Sequence, residues 1–219
     1  MDAVMEKRIK CESPMLIKLI RCNVKLGMRE SFSKAQTAWS AISNCSGFHG
    51  QFGGWNVLKD EAVVLGIWNN QLSLEHFMRH THDRITERNR QSTTYCRCDV
   101  STLNVEWLIS DQETDVDKHF NHVQFIQLIE FQVTQENTQL FRDEQKRVWH
   151  HLMSRTPGMV AVLLAQYSDA PQCYQIVCLW ESEPSFHKTT PKTDLKDGSN
   201  ANSGLLIHIE PAWNVYPAG

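Results

Sequence analysis

An internal repeat constrains the fold of this chain more than any other feature. The segment LIRCNV at residues 19–24 returns as LIEFQV at residues 128–133, 109 residues later. Further matches follow in the same order: Phe32 with Phe141, Gln36 with Gln145, Gly47 with Gly158 and Trp68 with Trp180. Solenoid repeats have much shorter periods, of about 20–50 residues. The spacing therefore predicts a duplicated domain.

Composition is compatible with two globular modules. The 219 residues are 41% hydrophobic and include seven Trp and nine Phe, enough for a substantial core. A formal charge of −3 argues against a nucleic-acid-binding protein, which usually presents a basic face. No apolar run approaches the ~20 residues that a membrane span needs, so we expect neither nucleic acid nor membrane as a partner.

The first 14 residues lie outside the repeat. They contain charges but no apolar stretch typical of a secretory signal, and Met15 would make an equally good first residue. We treat residues 1–14 as an N-terminal extension.

The cysteines suggest a cytoplasmic protein. Seven are present, an odd number, and none has the CxxC spacing typical of zinc sites. We expect reduced thiols, several of them packed as small apolar side chains.

Hydrophobic periodicity gives the element order of each half. For the first module, residues 15–109, it predicts strands at 15–25, 48–57, 62–69 and within 95–109, and helices at 28–42 and from the N-cap Ser73 to Arg90. For the second module, residues 122–217, it predicts strands at 122–134, 159–168, 173–181 and 205–209, and helices at 136–154 and from Pro184. Residues 110–121 form an acidic linker, and Asp197 to Asn200 a mobile loop.

Both halves thus have the order β-α-β-β-α-β of a ferredoxin-like unit. Such a sheet carries helices on one face only, and its other face must be covered. We expect an α+β fold in which the tandem ferredoxin-like repeats pack sheet to sheet as a pseudo-dimeric α+β barrel.

Strand alternation predicts which side chains face the barrel. In the first strand Ile20, Cys22 and Val24 face the helices, interrupted by Lys18, and the matching face of the second half is interrupted by Gln127. The opposite face holds four polar side chains that would point into the barrel or its mouth: Arg21, Asn23, Glu130 and Gln132. Such groups need partners when buried. Two interpretations are open, an Arg21–Glu130 ion pair across the barrel or a ligand cavity with convergent polar groups.

A string of histidines on the second helix raises the possibility of a metal site. His76 and His80 lie one turn apart, with Asp83 a further turn along. They fall nearly opposite the apolar face, and three ligands along one straight helix converge poorly. We predict a solvated face and no metal site, with His82 at the edge of the apolar face as the histidine that can reach the sheet.

The whole pattern resembles a known superfamily. The double β-α-β-β-α-β order, the Trp that ends each third strand and the strings MLIKLIRCNV, FSKAQTAWSAISNCSGFHGQFGGW and FMRHTHDRI are similar to the antibiotic-biosynthesis-monooxygenase-like dimeric α+β barrels, within an uncharacterised bacterial group that fuses two modules. The resemblance covers nearly the whole chain from Met15.

This resemblance implies a function. Some members oxygenate polycyclic aromatic substrates without a cofactor, and others bind and cleave haem with a strand Asn and a helical Trp and His. By position Asn23 matches the strand asparagine and Gln132 is its counterpart in the second half, whereas His76 or Phe77 stands at the place of the tryptophan. The resemblance therefore favours a small-molecule-binding barrel without a cofactor, acting as a monooxygenase on an aromatic or polyketide-like substrate, over a haem protein.

We assign roles on that basis. Asn23 and His82 are the candidate catalytic residues, the first as an oxyanion donor and the second in proton transfer. The candidate substrate-binding residues are Arg21, Trp68, Glu130 and Gln132. The alternatives are a non-catalytic binding or scaffold protein in which one half has lost its site, and a protein that binds haem. A homodimer is also compatible with the sequence.

Overall fold

The computed structural model describes residues 15–110, 122–189, 200–201 and 204–218. The proposed extension at 1–14, nearly all of the proposed linker and most of the loop at 197–200 lie outside these residues.

The first half contains four strands and an interrupted second helix. Its strands are β1 (Leu16–Val24), β2 (Phe48–Asn56), β3 (Glu61–Trp68) and β4 (Tyr95–Ser110). Its helices are α1 (Arg29–Gln36), continued as a 3₁₀ helix at Thr37–Asn44, then α2 (Gln71–Phe77), a π-helical turn at Met78–His82, and α3 (Asp83–Asn89), followed by a 3₁₀ turn at Gln91–Thr93.

The second half repeats the order with a longer first helix. Its strands are β5 (Phe125–Gln132), β6 (Met159–Tyr167), β7 (Cys173–Trp180), the short β8 (Asn200–Ala201) and β9 (Leu205–Ile209). Its helices are α4 (Thr138–Met153), preceded by a 3₁₀ turn at Gln135–Asn137, and α5 (Glu183–Thr189), with a 3₁₀ turn at Pro211–Trp213 near the end.

Eight antiparallel strands close into one barrel, in the order β7-β6-β4-β1-β3-β2-β9-β5, with β5 pairing back to β7. The two halves are hydrogen-bonded to each other at two seams. Strand β4 pairs with β1 through one end and with β6 through the other, and β9 bridges β2 and β5. Closure leaves these eight strands no unpaired edge. A mixed α/β fold with a closed barrel is therefore present, and the strands of the two halves are joined edge to edge.

Apolar side chains fill the barrel interior. Inward-facing residues of all eight strands form one buried cluster, which includes Ile17, Leu19, Leu65, Leu128 and Leu163. An eight-stranded barrel is just wide enough for its own side chains to fill. The predicted alternation of β1 is correct, since Leu19 lies inside while Cys22 and Val24 pack outside with the helices.

Two local predictions are corrected. Ser73 is not the N-cap of the second helix; Asn70 is, and its side-chain oxygen accepts a hydrogen bond from the Ser73 N–H at 3.0 Å. An Asn at this position satisfies a helix N–H in the way that a Ser would.

The second correction concerns the cysteines. Cys22 and Cys98 stand directly opposite each other on β1 and β4 and form a disulfide, so the expectation of reduced thiols is wrong at this pair. Sequence spacing could not reveal the pair, because the two residues are 76 positions apart. The other cysteines of the described chain are free thiols.

Each helix among the described residues is too short or too polar to cross a membrane.

Candidate ligand-binding site between the helices and the sheet of the first half

A cavity of about 280 Å³ lies outside the barrel, between the sheet of the first half and its helices. Strands β1, β3 and β4 form its floor, and α1, its 3₁₀ extension and the α2–α3 segment form its roof. Aromatic side chains provide much of the wall: Phe32, Trp39, Trp68, Phe77 and Tyr95. A mostly apolar cavity with a few polar groups is the usual form of a small-molecule site.

The floor has room because of one glycine. Lys18 on β1 is paired in register with Gly66 on β3, and Gly66 has no side chain to fill the space beside the lysine stem. Trp68, two residues further along β3, closes one end by stacking on Phe77 with ring centroids 4.9 Å apart. Both rings are buried, so this end of the cavity is rigid.

Lys18 supplies the charge of the cavity. Only 8% of the residue is exposed, and its ammonium donates a 3.2 Å hydrogen bond to Met78 Sδ and lies 5.6 Å from the centroid of the Phe77 ring. A thioether is a weak acceptor. Removal from water lowers the pKa of Lys18 from 10.5 to about 8, because burial penalises the charged form.

No carboxylate stands among the described residues that line the cavity. Lys18 is therefore a buried cation without an anionic partner in this wall, an arrangement that proteins rarely keep without a use for it.

The π-helical turn Met78–His82 brings His82 to the cavity. Such turns are rare and occur frequently at functional sites. The His82 ring lies 5.6 Å from that of Trp39 and 5.8 Å from that of Phe77, and its Nδ1 is 2.9 Å from Asp83 Oδ1. When Asp83 accepts from Nδ1–H, Nε2 is left as the basic nitrogen.

A chain of buried polar contacts fixes the roof. Trp39 Nε1 donates to Gln91 Oε1 at 2.9 Å, and Gln91 Nε2 donates to Gln36 Oε1 at 2.6 Å. These bonds tie α1 and its 3₁₀ extension to the turn after α3. The Trp39 ring is thereby held in place against the cavity.

The Cys22–Cys98 disulfide forms part of the floor. It links β1 to β4 at two residues that are paired in register. The wall of the cavity is thus crosslinked covalently as well as by the β-ladder.

A second cavity, of about 290 Å³, lies at one mouth of the barrel and is lined by both polar and apolar side chains. Arg21 pairs with Glu61 of the neighbouring strand, with an Nη2–Oε1 distance of 2.8 Å, and Glu61 also accepts from Asn56 Nδ2 at 2.8 Å. The sequence had suggested Glu130 as the partner of Arg21. The structure pairs Arg21 with Glu61, one strand away, and places Glu130 in the lining of the same mouth.

Glu130 stands across this mouth and accepts from the Tyr167 hydroxyl at 3.4 Å, while the same hydroxyl lies 3.1 Å from Gln175 Oε1. Burial first, and the Glu130 carboxylate second, raise the pKa of Tyr167. The mouth is therefore a network of mutually bonded polar groups.

The structure distributes the six predicted site residues over three places. Trp68 and His82 line the helix–sheet cavity. Arg21 and Glu130 line the barrel mouth. Asn23 and Gln132 are exposed near strand ends and line neither cavity.

Lys18 is the functional candidate that the sequence reasoning passed over. The available signal was a lone lysine on the otherwise apolar, helix-facing side of β1. Its importance depends on Gly66, whose position opposite Lys18 is a matter of strand register.

The second half has different residues at the positions that correspond to Lys18 and Gly66. Gln127 replaces the lysine at the repeat offset, and its partner on β7 is Cys178, the counterpart of Gly66. Cys178 is fully buried, and burial raises the pKa of its thiol. This half thus has neither the cation nor the missing side chain, and its helix-facing residues pack into one buried cluster around Trp149 and Tyr174.

Two of the histidines on the second helix, His76 and His80, are exposed. No group of three or more His, Cys, Asp or Glu side chains able to hold a metal ion occurs in the described part of the chain. The ring centroids of His76 and His80 lie 4.4 Å apart, and the two rings are tilted by 45°.

The barrel, the outer helices and the cavity between them define an antibiotic-biosynthesis-monooxygenase-like α+β barrel, and comparison with known proteins agrees. Residues 16–103 match the profile of a domain of unknown function, DUF4937, and residues 124–193 match that of the antibiotic biosynthesis monooxygenases. Uncharacterized protein YdbC of Bacillus subtilis (strain 168) is 40% identical over 90 residues, which cover 40% of this chain and 76% of YdbC. The chain therefore belongs to the same family as YdbC, and part of its second half matches the antibiotic biosynthesis monooxygenases.

Solved structures show the same fold at low sequence identity. A predicted monooxygenase from Lactobacillus acidophilus NCFM superposes with a TM-score of 0.70 at 12% identity, covering 93% of this chain and 97% of that one. An anthrone oxidase-like protein gives a TM-score of 0.61 at 12% identity, covering 95% and 98%. Identities this low establish the common architecture alone.

Proposed function

We propose that this protein binds an aromatic small molecule in the helix–sheet cavity of its first half and oxygenates it with dioxygen, without a cofactor. The single observation that carries the proposal is the cavity itself: its aromatic walls stand beside the buried Lys18 and beside His82, whose Nδ1 is 2.9 Å from Asp83 Oδ1. The match of residues 124–193 to the antibiotic biosynthesis monooxygenases supports the reaction class, and the name of the anthrone oxidase-like neighbour suggests a probe substrate.

The chemistry needs an acidic C–H or O–H conjugated with a ring. Nε2 of His82 would accept that proton, while Trp39 and Phe77 hold the imidazole against the cavity. The resulting carbanion or enolate reduces dioxygen, and a carbon–oxygen bond forms to give a hydroperoxide. Loss of water then leaves a carbonyl, so that one CH₂ group and one O₂ give one C=O and one H₂O.

In this proposal the second half of the chain completes the barrel and has no ligand site of its own. We infer that it is a copy of the same module, since Gly47 and Gly158 both adopt positive φ, at +73° and +82°, and Trp68 and Trp180 are both buried at the end of a third strand. The tandem ferredoxin-like arrangement and the loss of one site follow from this view. Gln127 and Cys178 at the positions of Lys18 and Gly66 support it.

Anthrone is a suitable test substrate because its oxidation to anthraquinone is visible by absorbance. We expect oxygen uptake and anthraquinone formation in equal amounts, above the rate without protein. His82→Gln keeps a planar polar side chain but removes the base, and should lower kcat by about 10²–10⁴-fold. His76→Gln, on the exposed side of the same helix, is the matched control and should leave the rate unchanged.

The non-catalytic binding protein would be favoured if no protein-dependent oxidation of anthrone is seen while the near-UV circular dichroism of the Trp residues shows a folded protein. Equal rates for His82→Gln and wild type would remove His82 from the mechanism.

A further inference from the structure

The cavity contains a positive charge that the protein itself does not neutralise. Lys18 is more than nine-tenths buried, and its ammonium is held by a thioether and the face of an aromatic ring. The other titratable side chains lining the cavity are His82 and Tyr95, and the described lining contains no carboxylate. An anionic ligand would therefore meet a cation that has already lost its water.

The lysine stem is oriented by its neighbours. Gly66 opposite Lys18 leaves open space beside it, and Trp68 and Phe77 stand next to that space. A flat ring entering between the aromatic walls would present its edge to the ammonium. The negative charge of the ligand is thus expected on a ring substituent.

Because the cation is an ammonium, it favours one type of anionic group on the ligand. A guanidinium matches the two oxygens of a carboxylate or phosphate, whereas an ammonium is a compact point charge suited to a single oxygen. The cavity of about 280 Å³ leaves room for a small fused ring system with no bulky acidic group.

We propose that the cavity selects a hydroxylated aromatic compound in its ionised form, with the Lys18 ammonium paired to the ring-bound oxyanion. This inference rests on the proposed function, because it names the substrate class of the same site. The ionised oxygen raises the electron density of the ring, which is what transfer of electrons to dioxygen requires. Lys18 is then a specificity residue for the anion, and His82 remains the base for the carbon acid.

The burial of Lys18 also favours an anionic ligand. It lowers the pKa of Lys18 to about 8, so the ammonium still predominates near neutral pH while its charge is poorly solvated. A bound oxyanion would restore the favourable surroundings of that charge. By linkage, the ammonium would in turn favour ionisation of the ligand hydroxyl.

The test uses 4-nitro-1-naphthol, whose ionised form absorbs visible light, and its neutral analogue 1-methoxy-4-nitronaphthalene. Binding of each to the full-length protein is measured by quenching of tryptophan fluorescence, and ionisation of the bound naphthol by absorbance across a pH series. Lys18→Met removes the charge at similar length, and Lys18→Arg retains it. Gln127→Met, at the corresponding place in the second half, is the matched control.

We expect wild type to bind the naphthol at least about tenfold more tightly than the methoxy analogue near neutral pH, as a charge-assisted contact allows. The bound naphthol should ionise at a pH about one unit lower than the free compound, the same tenfold factor seen through linkage. Lys18→Met should abolish both effects, Lys18→Arg should keep the pH shift in part, and Gln127→Met should change neither.

Equal affinity for the two probes, or an unshifted ionisation of the bound naphthol, would overturn the anion inference and leave the proposed function standing. The same holds if Lys18→Met binds the naphthol as wild type does. Failure of both probes to bind would overturn the proposed function and, with it, this inference.

Discussion

Lys18 lies directly opposite Gly66 in the ladder between β1 and β3, and this pairing creates the space in which a buried ammonium meets an aromatic cavity. Neither residue would make a site alone. A lysine opposite a larger side chain would be covered, and a glycine opposite an apolar residue would only leave a small void. The corresponding pair in the second half, Gln127 and Cys178, has lost both features.

The charge of Lys18 is expected to destabilise the folded protein. Its pKa is lowered from 10.5 to about 8, and each unit of lowering costs about 1.4 kcal/mol, so the buried charge costs about 3 kcal/mol. Below pH 8 the cost is complete, because lysine is protonated in both the folded and the unfolded chain. It disappears as the pH rises from about 8 to 10.5, since the folded protein releases the proton before the unfolded chain does.

Lys18→Met should therefore raise the free energy of unfolding by up to about 3 kcal/mol at neutral pH, and its advantage should shrink toward pH 10.5. Urea denaturation of wild type and Lys18→Met between neutral pH and pH 10.5 measures the difference in their free energies of unfolding. Other titrating groups contribute equally to both proteins and cancel in this difference. A variant less stable than wild type at neutral pH would contradict the buried, unpaired charge.

Gly66→Ala should narrow the cavity with little effect on stability. The added Cβ would lie 3.3 Å from Trp68 Nε1, so the Trp68 ring must shift by a few tenths of an ångström. Alanine in a strand is favoured over glycine by about 0.5–1 kcal/mol, so the free energy of unfolding should be unchanged or slightly higher. Affinity for a bicyclic probe should fall several-fold in fluorescence titration. Gly204→Ala, at the barrel mouth, is the control and should bind as wild type does.

Asn23→Ala is expected to leave ligand binding unchanged. The sequence made this residue a candidate catalytic group, but it is exposed and does not line the helix–sheet cavity. Exposed substitutions of this kind usually change stability by less than about 0.5 kcal/mol. The same titration and the anthrone assay measure the effect, and a loss comparable to that of Lys18→Met would show that the ligand extends to the end of β1.

Gly47→Ala and Gly158→Ala should destabilise the protein to a similar extent. Both glycines have positive φ, and a Cβ at either would collide with a serine of the following helix, Ser73 or Ser185. A left-handed conformation costs a non-glycine residue about 1–2 kcal/mol, to which the collision adds. Gly27→Ala is the matched control, since its φ is +78° and no atom lies within 4 Å of the added Cβ. Thermal denaturation should show a smaller loss for Gly27→Ala than for the other two.

Reduction of the Cys22–Cys98 disulfide should lower stability. A crosslink between residues 76 positions apart restricts the unfolded chain, and the chain-entropy estimate for a loop of this length is about 4 kcal/mol. Denaturation with and without a thiol reductant measures the loss. The double variant Cys22→Ala, Cys98→Ala should be insensitive to reductant, and a wild-type protein equally insensitive would show that the bond does not form in solution.

Much of the architecture could be predicted from local pattern. The alternation in β1 correctly assigned Leu19 to the interior and Cys22 to the helix side, because side chains of a strand alternate whatever the strand packs against. The last strand, Leu205–Ile209, was predicted with its correct bounds, since a short apolar run ended by a proline leaves little choice. The π-helical turn that turns His82 toward the sheet has no such signature.

The location of the site was decided by tertiary structure. The inward polar residue Arg21 suggested a site inside the barrel, yet an eight-stranded barrel has an interior that apolar side chains can fill, and Arg21 pairs with Glu61 at its mouth. The space remained on the other side of the sheet, where Lys18 meets Gly66, 48 residues away in sequence. Periodicity reports which way a side chain points, because that depends on its own strand. Whether that side chain meets a void or a partner depends on the register and packing of other strands and helices. A single segment of sequence does not contain that information.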